Sequence, residues 1–219
     1  MSVSSETREP ARVVVLVSGR GSNLQALLDA RHRLPVSLLS VISNRPEAQA
    51  LQRAEQAGVP AELLDHTRYS SREAFDQALG ERLDALQPDL VILAGFMRIL
   101  TPTLVQRFLG RMINLHPSLL PLYPGLDTHR RALEAGDRQA GASIHYVTEQ
   151  LDGGPVIMQA RLPVLPEDTP ETLAARVLPL EHRMLVRVVE DIATGRIRYC
   201  DGRVCVDGRV LDAPLLLED

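Results

Sequence analysis

Val13-Val14-Val15-Leu16-Val17-Ser18-Gly19-Arg20-Gly21-Ser22-Asn23-Leu24 is the stretch whose reading decides the fold. The run from Val13 to Val17 is apolar without a break and reads as a strand buried on both faces, the habit of a parallel sheet. A glycine turn follows, and Ser22 is expected to cap a helix that reaches about Ala30 with Leu24, Leu27 and Leu28 on one face. The alternation continues. Val36 to Ser43 reads as a strand, Pro46 to Gly58 as a helix ended by glycine, and Ala61 to Leu64 as a brief strand. Ser71 to Leu86 then reads as a helix and Leu90 to Ala94 as the most apolar, central strand. Strand–helix repetition of this kind predicts an α/β, doubly wound, mostly parallel sheet.

The second half changes character. Met112 to Leu115 reads as a strand and Asp127 to Gly136 as a capped helix. Ala142 to Val147 and Pro155 to Pro163 read as adjacent strands, an antiparallel element added to the parallel sheet. Pro170 to Thr194 is a long helix that Pro179 should kink or break. Asp201-Gly202 marks a hairpin turn in a C-terminal hairpin and tail over 198–219. With 1–11 as an N-terminal tail and no linker or repeat, the expectation is a single domain over 1–219, ordered from about 12 to 200.

Composition excludes several classes. The chain has 219 residues, 45% of them hydrophobic, enough for one packed α/β core. A net charge of -4 with the two signs mixed leaves no large basic face for nucleic acid. No apolar run approaches the roughly 20 residues of a membrane span. Met1 to Pro10 is polar and lacks the apolar core of a signal peptide, so a cytoplasmic protein is expected. The sequence contains no lysine, which rules out a lysine Schiff base and the lysine of a P-loop. Cys200 and Cys205 flank the hairpin turn; a cross-strand disulfide is conceivable, and two free thiols are the cytosolic expectation.

Three motifs carry chemistry. The turn Ser18-Gly19-Arg20-Gly21-Ser22-Asn23 joins a strand to a helix N-terminus, where unpaired N–H groups and the helix dipole favour an anion. Gly21 permits close backbone approach to a ligand, and an ordinary βα turn is the plain alternative. A dinucleotide fingerprint fails, because Leu24 stands where its third glycine belongs and no acidic residue closes the second strand. The second motif is Ile113-Asn114-Leu115-His116-Pro117-Ser118-Leu119-Leu120-Pro121, with Asp152 in Leu151-Asp152-Gly153-Gly154-Pro155. Asn114 and His116 lie two apart at a strand exit, so both side chains point the same way. An amide donor beside an imidazole suits acyl transfer, where an oxyanion forms as a nucleophile loses its proton. A capped strand end and a turn aspartate are the plain alternatives. The third, Gly95-Phe96-Met97-Arg98-Ile99-Leu100, ends the central strand, where ligands of open α/β sheets bind.

Together and in this order, the four segments around Ser18, Gly95, Asn114 and Asp152 resemble the phosphoribosylglycinamide formyltransferase family, from about Arg12 to about Tyr199. The resemblance implies a Rossmann-like formyltransferase fold. It implies formyl transfer from 10-formyltetrahydrofolate, as co-substrate and with no metal, to the amine of 5′-phosphoribosylglycinamide in purine synthesis. It assigns catalysis to Asn114, His116 and Asp152. Gly21, Ser22, Asn23 and Glu181 would contact phosphoribosylglycinamide. Arg72, Met97, Arg98, Ile99, Leu100, Asn114, Thr148 and Asp152 would contact folate, with Thr148 to Asp152 closing over the pteridine on a Gly153-Gly154 hinge. Two positions depart from the family: Asp127, where many relatives carry histidine, and Leu178, where a polar residue is common. His129 and His145 are candidates for the site's edge. The implied partners are small molecules, neither nucleic acid nor membrane, in a monomer or homodimer; Leu104 to Phe108 reads as core or as a dimer edge. Two other functions stay open, a formyltetrahydrofolate hydrolase and a non-catalytic phosphate- or nucleotide-binding module. Family hydrolases carry an N-terminal regulatory domain and initiator-tRNA formyltransferases a C-terminal RNA-binding one, and the positions of the first strand and last helix leave little room for either.

Overall fold

The computed structural model of the protein describes residues 9–218, so the expected N-terminal tail lies outside the described residues up to residue 8. Five parallel strands, β1 (Ala11–Val17), β2 (Val36–Ser43), β3 (Ala61–Leu63), β4 (Leu90–Leu93) and β5 (Met112–His116), run in the spatial order β3-β2-β1-β4-β5. β6 (Gln139–Tyr146) pairs antiparallel with β5, and β7 (Val156–Pro163) antiparallel with β6. Past a small antiparallel sheet of β8 (Ile197–Cys200), β9 (Arg203–Val206) and β10 (Arg209–Val210), the short β11 (Leu215–Leu216) returns to pair parallel with β7. The mostly parallel α/β sheet with an antiparallel second half is the one expected from the sequence.

The strand period of two divides the core between the faces of the sheet. Val13, Val15 and Val17 pack with Leu24, Leu27 and Leu28 of α1 (Ser22–Ala30) and with Leu173, Val177 and Leu185 of α6 (Pro170–Ala193). Val14 and Leu16 pack on the other face with Phe75, Leu79 and Leu83 of α3 (Arg72–Leu86) and with Leu104 and Val105 of α4 (Pro102–Arg107). Leu104, Val105 and Phe108 are therefore core, the first of their two readings.

Several local expectations are corrected. Ser22 is the first helical residue of α1, not its cap; Gly21 holds that place in a left-handed conformation, φ 75°, with no side-chain cap. α2 spans Gln49–Gln56 rather than starting at Pro46, because its early Ala50 N–H reaches back to the Gly19 carbonyl at 3.1 Å. The Asp127 side chain does not cap α5 (Thr128–Glu134); it pairs with Arg130. Pro179 does not break α6, which continues through it. Pro179 and Ala175, whose carbonyl the proline leaves without its N–H, are both exposed, so water can serve that carbonyl. The C-terminus is more than a hairpin and tail, since β11 extends the main sheet. Cys200 and Cys205 are free thiols flanking a turn whose Asp201 and Gly202 both have positive φ.

β1 and β4 are neighbours although the chain runs outward from them in opposite directions, so their carboxyl ends open a crevice. Ser18 ties it together. Its N–H bonds the Gly95 carbonyl at 3.1 Å, its hydroxyl donates to Asn44 Oδ1 at 2.5 Å and accepts the Met97 N–H at 2.8 Å. Among the described residues no helix is long and apolar enough to cross a membrane.

Gly141, on β6, faces the backbone of β7 so closely that an added Cβ would lie 1.8 Å from the Ala160 carbonyl oxygen. Gly141→Ala is expected to lower stability by roughly 1–3 kcal/mol, the usual cost of overpacking. Urea unfolding checks this, and an unchanged midpoint would mean that the two strands separate at no cost.

Candidate active site

Asn114 and His116 leave β5 on the same side, and the segment after β6 brings Asp152 to them. The Asn114 amide donates to Asp152 Oδ1 at 3.3 Å, and His116 Nδ1 lies 3.5 Å from Asp152 Oδ2. The three residues named from the sequence therefore meet across 38 positions of chain. A fourth joins them. His145 stands opposite Asn114 in the antiparallel β5–β6 pair, with Nε2 at 3.2 Å from the Asn114 amide nitrogen and 3.6 Å from Asp152 Oδ1. The antiparallel register of β5 with β6 puts this site-edge candidate there, a position that no motif spacing specifies.

The side chains of His116, His145 and Asp152 are 6%, 2% and 8% exposed, so each polar atom needs a partner. His116 Nε2 donates to the Tyr123 carbonyl at 2.9 Å, and the Gly125 N–H donates to Asp152 Oδ2 at 2.8 Å. A carbonyl only accepts, so Nε2 carries the hydrogen and the lone pair of neutral His116 is on Nδ1, beside Asp152. By the same logic His145 Nδ1 donates to the Tyr146 carbonyl at 2.9 Å, and its Nε2 faces both the Asn114 amide and Asp152 Oδ1.

Burial pushes the His116 pKa below the ordinary histidine value, against the opposing pull of the Tyr123 carbonyl and the Asp152 charge. Burial alone would raise the Asp152 pKa, but contact with His145, the Gly125 N–H and the field of His116 hold it below the usual aspartate range. At neutral pH the site therefore pairs an ionised carboxylate with a neutral imidazole that can take a proton.

The turn motif adds a second cluster. Asn23, early in α1, donates its amide to Glu181 Oε2 of α6 at 3.0 Å across 158 residues of chain. Glu181 is 7% exposed, and burial raises its pKa against the lowering effect of that bond. Among the described residues Asn23 Oδ1 is buried with no hydrogen-bond partner. At Gly21 a Cβ would lie 2.7 Å from Ala50 Cβ, so the glycine also lets α2 approach the turn closely.

The other candidates divide. Met97 and Ile99 are 63% and 55% exposed on the loop after β4, whereas Leu100 is core. The Arg98 guanidinium stacks on Phe75, 4.7 Å from the ring centroid, and its buried Nε has no partner. Arg72 opens α3, exposed and 3.7 Å from Glu73, away from the buried cluster's contacts. Thr148 donates within its own loop, to the Gln150 carbonyl at 3.5 Å. Neither Gly153 nor Gly154 has a positive φ; Gly154 lies against the Tyr146 carbonyl, 1.8 Å from where its Cβ would be. His129 is half-buried, its pKa lowered by burial and by His116.

Comparison with known proteins gives the family. The family described as Formyl transferase matches residues 11–189. The chain is 47% identical over 201 residues to the phosphoribosylglycinamide formyltransferase of Escherichia coli K12, covering 91% of this chain and 95% of that one. Identity to the enzyme of that name from Haemophilus influenzae is 42% over 202 residues, at 91% and 95% coverage. Among solved structures, the phosphoribosylglycinamide formyltransferase of Coxiella burnetii superposes with a TM-score of 0.92 at 47% identity, over 96% of this chain and 100% of that one.

Burial lowers the pKa of His116, His129 and His182 alike. Below about pH 6.5 the unfolded chain then binds more protons than the folded one, so the stability present above that pH is lost as pH falls through the folded values. The urea midpoint is expected to drop between pH 7.5 and 5.5, and the His116 imidazole to titrate below about 6.5 by NMR. A His116 midpoint above that reference would reverse the sign.

Proposed function

This chain belongs to the formyl transferase family, and from that membership we infer the reaction and the residues that run it. The chain formylates phosphoribosylglycinamide in purine biosynthesis. The donor we propose is 10-formyltetrahydrofolate. The observation that carries the mechanism is the convergence of Asn114, His116 and Asp152 at the carboxyl end of β5. The substrate amine attacks the formyl carbon, the carbonyl oxygen becomes an oxyanion, and the bond from the donor nitrogen to that carbon then breaks. Asn114 turns an amide hydrogen from Asp152 or His145 to the oxyanion. His116 Nδ1 takes the proton released by the amine, Asp152 pairs with the imidazolium, and the proton passes on to the leaving nitrogen. Holding both reactants in one crevice supplies much of the acceleration.

Substrate placement follows the two clusters. The α1 N-terminus with Gly21, Ser22 and Asn23 takes the phosphoribosyl anion. Glu181 and the unpartnered Asn23 Oδ1 accept hydrogen bonds from sugar hydroxyls or the glycinamide N–H groups. Loops around the site expose Met97, Ile99, Leu126 and Leu151, an apolar rim suited to a pterin, and Arg98 and Thr148 offer polar edges to it. Leu100 shapes this wall from the core, and exposed Arg72 is the folate contact that the family resemblance implies. We take 1–219 as one formyltransferase domain acting in the cytoplasm, as monomer or homodimer.

Absorbance-monitored turnover of 10-formyltetrahydrofolate, with and without phosphoribosylglycinamide, tests the reaction. Product that appears only with the amine substrate supports transfer, whereas equal release without it makes the protein a hydrolase. His116→Ala, Asn114→Ala and Asp152→Ala are each expected to lower kcat by roughly a hundredfold or more in folded protein. Near-normal turnover by the Asp152 variant would remove that residue from the mechanism.

A further inference from the structure

Tyr123 has a backbone conformation that its side chain disfavours. Its φ is 54°, in the left-handed region, where a bulky residue costs on the order of 1 kcal/mol or more. Surrounding contacts must hold it there, and the structure shows them. The Tyr123 hydroxyl donates to Asp137 Oδ2 at 2.8 Å. The Arg131 guanidinium lies over the Tyr123 ring, 5.2 Å from its centroid, and Arg131 Nη1 donates to the carbonyls of Pro124 at 2.6 Å and Leu126 at 3.2 Å. The C-terminal part of α5 thus holds one short segment: Arg131 lies in its last turn, and Asp137 just beyond it.

That segment touches the two groups on which proton transfer depends. The Tyr123 carbonyl accepts the His116 Nε2 hydrogen, and two residues on, the Gly125 N–H donates to Asp152 Oδ2. From below, Ser118 donates to the Leu122 carbonyl at 2.6 Å, and Ser143 donates to the Ser118 carbonyl at 2.7 Å. The left-handed turn at Tyr123 aims its carbonyl at the imidazole. Without that acceptor a neutral histidine is free to carry its hydrogen on either nitrogen, and the tautomer with Nδ1–H has no lone pair beside Asp152.

We propose that Arg131 and Asp137 are positioning residues: by holding Tyr123 they select the Nε2–H tautomer of His116 and leave Nδ1, next to Asp152, as the nitrogen that accepts the amine proton. The inference rests on the assignment of His116 as the proton-transfer group. It reaches beyond the motif segments, since neither residue lies in one.

The test uses the full chain and four variants, Arg131→Met, Tyr123→Phe, Asp137→Ala and Asp137→Asn. For each, kcat and KM for formyl transfer are read beside the ring ¹⁵N shifts of His116 above its titration midpoint. Arg131→Met is expected to lower kcat by roughly tenfold to a hundredfold with KM for both substrates within about twofold, and to mix the two tautomers. Tyr123→Phe and Asp137→Ala should match one another. Asp137→Asn, which keeps an acceptor for the hydroxyl, should recover most of what Asp137→Ala loses. A single Nε2–H tautomer with wild-type kcat in both Arg131→Met and Tyr123→Phe overturns the proposal. So does a fall in kcat with the tautomer intact, because activity is then lost by another route, and so does a mixed tautomer with unchanged kcat. His116→Ala separates the two levels. Full turnover there removes His116 from the reaction and this inference with it, while a dead His116→Ala beside wild-type-like Arg131→Met removes only the inference.

Discussion

A carboxylate taken out of water must be repaid in hydrogen bonds and opposite charge, and the Asp152 side chain is only 8% exposed. What surrounds it follows from that demand. Asn114 and Gly125 donate N–H groups to it, and the imidazoles of His116 and His145 stand within 3.6 Å. Asp152 itself has a positive φ of 49°, a conformation that aspartate tolerates better than most side chains. Asn114, one of the two donors that stabilise the charge, is also a group that would do chemistry, so stability and activity draw on a shared contact.

The scaffold makes this possible by dividing the work between its two halves. Parallel pairing of β1 with β4 places the glycine turn after β1 and the loop after β4 side by side at the carboxyl ends. The antiparallel pairing of β5 with β6 then adds His145 opposite Asn114. α6 crosses behind and delivers Glu181 to Asn23. Phosphate, sugar and formyl group would therefore meet groups from different stretches of chain, held by hydrogen bonds that span 158 residues in the case of Asn23 and 38 in that of Asn114 and Asp152.

Much of this was legible beforehand, and the exceptions have common causes. Strands β1 and β4 are legible within a residue or two because unbroken apolar runs can only be buried. Helix starts were less legible. Ser22 and Asp127 carry the side chains of N-caps, yet Gly21 takes the cap position before α1, and Asp127 caps through left-handed backbone while its carboxylate turns to Arg130. Pro179 is tolerated because it lies on the solvent side of α6, and whether a helix face meets water depends on what packs against its other side. At Gly21 the missing side chain admits Ala50 of α2, a neighbour set by helix packing that the turn motif does not reveal.

By itself, the sequence determined the alternation of strand and helix, the two faces of β1, the positions of the turns, and the pairing of Asn114 with His116 on one side of a strand. All of these follow from local periodicity and backbone chemistry, which act over a few residues. Only the tertiary structure decided that His145 stands beside Asn114, that Asn23 meets Glu181, and that Tyr123 gives its carbonyl to His116. Those contacts depend on strand register and on the direction of a helix across the sheet. Both are set by the packing of the whole core, so the stretches of chain that meet there bear no mark of it individually.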